Sequence, residues 1–327
     1  MNVTPRSEPA IHIRGLHRTF ATRGRVIEAV AGIDLEVGQG VIFGFLGPNG
    51  AGKTTTLRML TTLLQPTGGD ARVAGFDLRR EPQRVRERIG YVSQAGGTDH
   101  GATGRAELVF QAQLYRLSSR DAGVRAAELL TMFELDSCAD RKIETYSGGQ
   151  RRRLDVALGL VHRPHLLFLD EPTTGLDPQS RARMWDEVRR LRETGTTVFL
   201  TTHYLEEADA LCDMLAIIDH GRIVAQGTPN ELRRAVAGDV ITLGVKGDRQ
   251  VALDLLRSRS FVRDHDPLAL DSPSIRVYVD QGETAMPLIF RILDQAGVTL
   301  ETVSLTRPSL DDVFLRQTGR SLREEAA

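Results

Sequence analysis

Lysine is almost missing from this chain. Of 327 residues only three are lysine (Lys53, Lys142 and Lys246), and the rest of the 42 basic side chains are arginine. Cysteine is as scarce: Cys138 and Cys212 have no metal-ligand spacing and read as buried free thiols of a reducing compartment. No apolar run approaches the ~20 residues that span a bilayer. The first residues, Met1 to Pro9, are polar and lack the apolar stretch of a signal peptide. A net charge of −1 gives no global field for nucleic acid or anionic lipid, although local patches stay open. The expectation is a soluble cytosolic polypeptide, so any membrane role comes through a partner. The length and a 41% hydrophobic content suit one large domain with a real core plus a smaller one.

What is present is organised around Gly47-Pro48-Asn49-Gly50-Ala51-Gly52-Lys53-Thr54-Thr55, which matches G-x-x-x-x-G-K-[ST]. Before it, Val41 to Leu46 reads as a buried parallel strand. After it, Thr56 to Leu60 opens a helix with Leu57, Leu60, Leu63 and Leu64 on one side. Strand, glycine turn and helix start make a cup of backbone N–H groups at a positive dipole end, suited to phosphate oxygens. Lys53 would reach the β- and γ-phosphates, and the Thr54 hydroxyl would ligate Mg²⁺. Lysine at this position in so arginine-biased a chain points to a compact charge where a planar fork would not fit.

Upstream, Ile11 to Val37 reads as short strands and turns, with Phe20 either a core aromatic or a purine stacker. Downstream come a strand at Ala71–Ala74, an arginine-rich helix over Arg79–Arg88 and a strand at Ile89–Ser93 ending at Gln94. Helical periodicity follows, with Leu108, Val109, Ala112 and Leu114, then Val124, Ala127, Leu130 and Phe133. Tyr146-Ser147-Gly148-Gly149-Gln150 precedes a helix over Arg151–Val161. Ser147 is placed as its cap, so the Gly148 and Gly149 amides make a second anion-binding surface or simply a helix start. His165 to Pro172 is a buried strand delivering Asp170 and Glu171 to a sheet edge. Asp170 suits the outer shell of Mg²⁺, and Glu171 suits polarising an attacking water. After a Leu176-Asp177-Pro178 turn and a helix over Ser180–Arg192, the strand Thr196–Thr201 brings His203 to the same edge, either as a structural histidine or as a phosphate or water contact. A hairpin with a His220-Gly221 turn and the capping box Thr228–Glu231 close the first domain.

This ordered set resembles the nucleotide-binding domain of ATP-binding cassette (ABC) transporters, over roughly Ile11 to Leu232. The resemblance implies an α/β fold: a P-loop NTPase with a RecA-like core, an antiparallel β subdomain and a helical subdomain, plus a small C-terminal α+β domain. Gly47–Thr55 looks like the Walker A loop, Gln94 like the Q-loop residue (catalytic, and a metal contact with Thr54 and Asp170), and Tyr146–Gln150 like the signature. Asp170 looks like the Walker B aspartate, Glu171 the catalytic base, Asp177 the D-loop residue and His203 the switch histidine. Phe20 falls where the family stacks adenine. Tyr146 departs from the commonest signature, which has leucine there. Two copies arranged head to tail would sandwich ATP and Mg²⁺ between the loop of one and the Ser147, Gly148, Gly149 and Gln150 of the other.

The expected boundaries are 1–230 for the cassette, with a helical insert over about 95–162, and 231–327 for an accessory domain of ferredoxin-like βαββαβ order plus a terminal helix. In the latter, Met286, Ile289 and Leu293 stripe the second helix. Arg307 to Leu315, with Thr103-Gly104-Arg105, is similar to the antibiotic-resistance ATPases of the daunorubicin-exporter type. That implies an ATP-hydrolysing subunit, peripheral on the cytoplasmic face of a bacterial membrane, working with a separate integral permease and without nucleic acid. The competing reading is a non-transport cassette ATPase acting on nucleic acid or ribosomes. Such proteins usually carry two cassettes or long insertions, and neither is present.

Overall fold

The computed structural model describes residues 8–22, 24–235, 238–246, 249–265, 274–306 and 308–319. Most of the N-terminal polar stretch, Arg307 of the C-terminal string and the last eight residues of the expected accessory domain lie outside the described residues. The chain divides into two compact units, Met1–Gln226 and Gly227–Ala327.

In the first unit the centre is a six-stranded sheet. Its strands are β3 (Ile42–Leu46), β6 (Ile89–Val92), β7 (Leu166–Asp170), β8 (Thr197–Thr202), β9 (Met214–Asp219) and β10 (Arg222–Gly227). Their order is β10-β9-β3-β8-β7-β6, and the β9-β3, β3-β8, β8-β7 and β7-β6 pairs are parallel. β3, β7 and β8 are buried along their whole length, as near-continuous apolar runs require in a sheet covered on both faces. Phe199 of β8 sits among Phe43, Phe45 and Phe168, with ring centroids 5.4, 5.6 and 5.5 Å away. Around the sheet run α1 (Lys53–Leu60), α2 (Pro82–Arg88), α6 (Pro178–Glu193) and α7 (Leu205–Leu211).

A second sheet is antiparallel, ordered β2-β1-β4-β5, from β1 (Ile11–Thr22), β2 (Arg25–Val37), β4 (Gly68–Val73) and β5 (Phe76–Asp77). The short strands expected at its start are one long hairpin. Register shifts between Ile13 and Leu16 and between Arg18 and Thr19 break the alternation that a sequence reading follows. The helical region holds α3 (Gly104–Leu114), α4 (Ser119–Met132) and α5 (Gly148–Gly159).

Four apolar positions depart from expectation. Leu63 is 61% exposed because α1 ends at Leu60 and Thr62 adopts a left-handed φ of 64°. Leu114 is likewise exposed at the end of α3. On α4 the buried stripe is Ala122, Ala126, Leu129 and Leu130, so Val124 and Ala127 face outward. Two alanines, Ala122 and Ala126, supply half of that stripe, and a hydropathy pattern weights valine above them.

The second unit begins with α8 (Pro229–Ala235). Then follow β11 (Asp239–Lys246), α9 (Arg249–Arg257), β12 (Val262–His265), β13 (Ile275–Val279), α10 (Gly282–Gln295) and β14 (Thr299–Thr306), closed by α11 (Leu310–Thr318). The sheet is antiparallel with order β12-β13-β11-β14, the arrangement of a split βαβ unit. Ile289 and Leu293 of α10 are fully buried in its core, with Met286 packed beside them. Ser309 and Asp312 form a capping box that starts α11, whose first six residues are buried and which packs against α8.

Because Phe199 is fully buried at the centre of the aromatic cluster, Phe199→Ala is expected to cost about 3–5 kcal/mol of unfolding free energy. Urea denaturation of the two proteins measures it. A loss under about 1 kcal/mol would show that this cluster does not hold the sheet.

Candidate nucleotide site

The loop between β3 and α1 has the backbone that its glycines allow. Gly50 and Gly52 have φ of 80° and 107°, values open to glycine. At Gly47 a Cβ would lie 2.3 Å from the Ile218 carbonyl oxygen, and at Gly52 it would lie 2.5 Å from that of Ala29. The loop also rests on the β9–β10 turn, where His220 and Gly221 both have positive φ, as a primed hairpin turn requires. The Gly221 N–H donates to the Ala51 carbonyl at 2.9 Å, and the Ala31 N–H donates to the Gly221 carbonyl at 2.8 Å. No side chain caps α1, so its first-turn amides keep their capacity for an anion.

Lys53 is 4% exposed. Its Nζ donates to the carbonyls of Gly47 and Pro48 at 2.8 and 3.0 Å and lies 3.4 Å from Glu171 Oε1. Burial pushes this ammonium below its usual range, while Glu171 and Asp170 pull the other way. Asp170 Oδ1 accepts from the hydroxyls of Thr54 at 3.2 Å and Thr201 at 2.7 Å.

Glu171 follows β7 directly and takes a left-handed φ of 45°, a strained conformation for a residue with a side chain. Its N–H donates to Thr201 Oγ1 at 3.0 Å. Its Oε2 accepts from Gln94 Nε2 at 3.2 Å and Thr174 Oγ1 at 3.1 Å. His203 Nδ1 stands 3.1 Å from the same oxygen. Burial alone would raise the Glu171 carboxyl, but His203, the Lys53 charge and the Thr174 hydroxyl outweigh it and hold the group at about 2.

So Lys53, Thr54, Gln94, Asp170, Glu171 and His203 form one constellation at the C-terminal edge of the parallel sheet. A second lies at the start of α5. There Ser147 Oγ accepts from the Gln150 N–H at 3.2 Å and Gln150 Oε1 accepts from the Ser147 N–H at 2.9 Å, a full capping box. Gly148 and Gly149 are already helical, three residues earlier than expected. Gly149 abuts Ser180, whose N–H and hydroxyl donate to Asp177, the cap of α6, at 2.9 and 2.6 Å. Phe20 belongs to neither group: it lies on β1 opposite Ile27, with the Arg18 guanidinium 4.6 Å from its ring centre. Tyr146 is buried and its hydroxyl donates to the Cys138 carbonyl at 2.7 Å, beside Gly104, where a Cβ would collide with it.

Thr201 enters the sequence reading only as half of a polar Thr201-Thr202 pair at the ligand-facing end of its strand, and its hydroxyl contacts to Asp170 and Glu171 give it a place in the site. Arg152 has no signal in the sequence reading. Arg152 is the middle of three consecutive arginines that resemble a solvated face. It is buried, and its guanidinium donates to four carbonyls, those of Ser93, Asp170, Glu171 and Pro172.

Residues 30–174 match the family model described as ABC transporter, and residues 227–318 match that of the C-terminal domain of DrrA1-3-like ATP-binding proteins. The chain is 47% identical over 308 residues to the daunorubicin resistance ATP-binding protein DrrA2 of Streptomyces coeruleorubidus, covering 92% of this chain and 95% of that one. It is 46% identical to the daunorubicin/doxorubicin resistance ATP-binding protein DrrA of Streptomyces peucetius, covering 98% and 94%. The chain belongs to the ATP-binding proteins of ABC transporters. Among solved structures it is similar to a dimeric ATP-binding cassette, MJ0796, in a post-hydrolysis state with ADP and Pi. The TM-score is 0.62 at 25% identity, over 67% of this chain and 98% of that one. The protein is thus an ATP-hydrolysing cassette with a P-loop NTPase core, joined to the C-terminal domain of the DrrA-like group. Among the described residues, no helix of this cassette protein is long and apolar enough to cross a membrane.

A carboxyl depressed by its folded surroundings stabilises the fold above its unfolded value, near 4.5 here, and loses that contribution as pH falls through about 2. On acidification from about pH 5 to about pH 2, the wild type should lose up to about 3 kcal/mol more than Glu171→Gln. Urea denaturation at each pH measures this, and equal acid sensitivity of the two proteins would remove the assignment.

Proposed function

We propose that this cassette is the motor subunit of an exporter, in which two copies close head to tail around two ATP molecules and drive a separate integral-membrane permease. One observation carries the reading. Ser147 and Gly148 are exposed at the start of α5, while the P-loop constellation is built elsewhere on the same chain. Each chain therefore offers two halves of a site, and a second copy placed head to tail completes both.

In this reading the amides of the Gly47–Thr55 loop and Lys53 hold the β- and γ-phosphates, and adenine stacks near Phe20. Ser147, Gly148, Gly149 and Gln150 of the second copy grip the γ-phosphate from the other side, with Asp177 at the same seam. Thr54, Asp170 and Gln94 would hold Mg²⁺. The fit rests on hard oxygen donors: a carboxylate only 2% exposed, bonded to the Thr54 hydroxyl. When bound, that ion offsets phosphate charge. Glu171, ionised at neutral pH, is placed to polarise the attacking water, and His203 and Gln94 hold its carboxylate in position. Loss of the γ-phosphate removes what both faces grip, so the pair parts.

The relatives named for daunorubicin and doxorubicin resistance support a drug-type cargo. Selection of that cargo would belong to the permease, which also accounts for a peripheral place on the membrane. The near-neutral charge, −1, does not favour a nucleic-acid or ribosome partner.

Glu171→Gln should bind Mg-ATP with unchanged affinity and, by light scattering, form a stable dimer that retains two nucleotides. Acidic substitution of Ser147 and Gly148 in that background should return it to monomer. A Glu171→Gln protein that stays monomeric with saturating Mg-ATP would falsify the two-copy reading.

A further inference from the structure

We propose that Arg152 is the positioning residue through which occupancy of one nucleotide site is felt at the other. The inference rests on the head-to-tail reading above and adds the element that carries the coupling.

α5 has two functional ends of attachment. Its N-terminus, capped by Ser147, would hold the phosphate bound mainly by the other copy. Five residues along, Arg152 enters the chain's own site. Nη1 donates to the Ser93 carbonyl at 2.6 Å, Nε to that of Pro172 at 2.8 Å, and Nη2 to that of Asp170 at 3.0 Å with a longer contact to Glu171 at 3.4 Å. Ser93 immediately precedes Gln94. Asp170, Glu171 and Pro172 are the turn that aims the carboxylate. One guanidinium thus ties together the two segments whose side chains meet at 3.2 Å, Gln94 and Glu171.

The planar fork with five donors suits this task, since three directions of carbonyl are met at once from one rigid plane. The partners are main-chain dipoles, and the nearest carboxylate, Asp155, stands 4.0 Å away. What Arg152 responds to is therefore backbone position. Asp155, nearly one turn further along α5, lies against the loop that follows Gln94: a Cβ on Gly96 would come 2.9 Å from its Oδ2. The helix consequently holds that loop on both sides of Gln94. From Ser147 to Arg152 is about 7.5 Å of helix, short enough to move as a rod. A pull on the capped end is delivered to Gln94 and Glu171 together.

The test uses full-length wild type, Arg152→Gln and Arg152→Lys. Equilibrium binding of Mg-ATP, the ATPase rate against ATP concentration and the thermal midpoint are measured for each. Wild type is expected to show a Hill coefficient above one. Arg152→Gln should keep its ATP dissociation constant within about threefold, lose about 30-fold or more in kcat, and fall to a Hill coefficient of one. Arg152→Lys keeps the charge but cannot meet three carbonyls, so it should show the same split at smaller size. It also serves as the readout if the glutamine variant does not fold. A merely structural arginine would lower affinity, rate and thermal midpoint together and leave the Hill coefficient of the surviving activity unchanged, and that result overturns the proposal. So does an Arg152→Gln protein with wild-type kcat and cooperativity. If wild type itself has a Hill coefficient of one and Glu171→Gln never dimerises, the two-copy reading fails first and takes this inference with it.

Discussion

A buried ammonium and a buried carboxylate, Lys53 and Glu171, stand 3.4 Å apart at the edge of the parallel sheet, and the site is arranged around keeping both charged. Burial works against each of them. Lys53 is compensated by two loop carbonyls, and Glu171 by His203, Gln94 and Thr174. Such a pair is weak evidence of stability, since removing either member leaves an uncompensated buried charge. What it does show is how both groups are held: Lys53 by the Gly47 and Pro48 carbonyls, and Glu171 by Gln94, Thr174 and the neighbouring His203.

The sheet order explains how this is possible in one chain. β3 lies beside β8, and β8 beside β7, so the loop after β3, the end of β8 at Thr201–Thr202 with His203 beyond it, and the end of β7 at Asp170 with Glu171 beyond it come side by side. Residues from positions 47 to 203 in the chain are thereby brought to one edge. α5 approaches from the helical region and is fixed to that edge by Arg152.

What the sequence disclosed follows from which interactions leave a residue-type signature. A phosphate cradle needs glycine where φ is positive or a neighbouring carbonyl is close, so the loop at Gly47–Thr55 was legible. Strand ends bearing Asp170, Glu171 and His203 were legible because charge after an apolar run is rare. The capping box at Ser147 follows from its serine and glutamine. Contacts to the main chain leave no such mark: Arg152 reads like Arg151. The hairpin β1–β2 reads as short pieces because bulges erase alternation. Val124 reads as inward-facing because its hydropathy exceeds that of Ala122 and Ala126, which are buried on α4 beside Leu129 and Leu130. Tyr146 looked like a variant signature residue, whereas its hydroxyl is spent inside the helical region on Cys138.

The seat of the phosphate loop is made of backbone. Ala51 and Ala31 are joined to Gly221 by main-chain hydrogen bonds, and the Ala29 carbonyl faces Gly52 where a side chain would stand. Bonds of this kind do not depend on which side chains the two β strands of the hairpin display. Descendants of this gene can therefore rewrite the outer surface of that hairpin for new neighbours while the nucleotide cradle keeps its shape. The freedom ends at two glycines, 52 and 221, where a single methyl group would press on the Ala29 carbonyl.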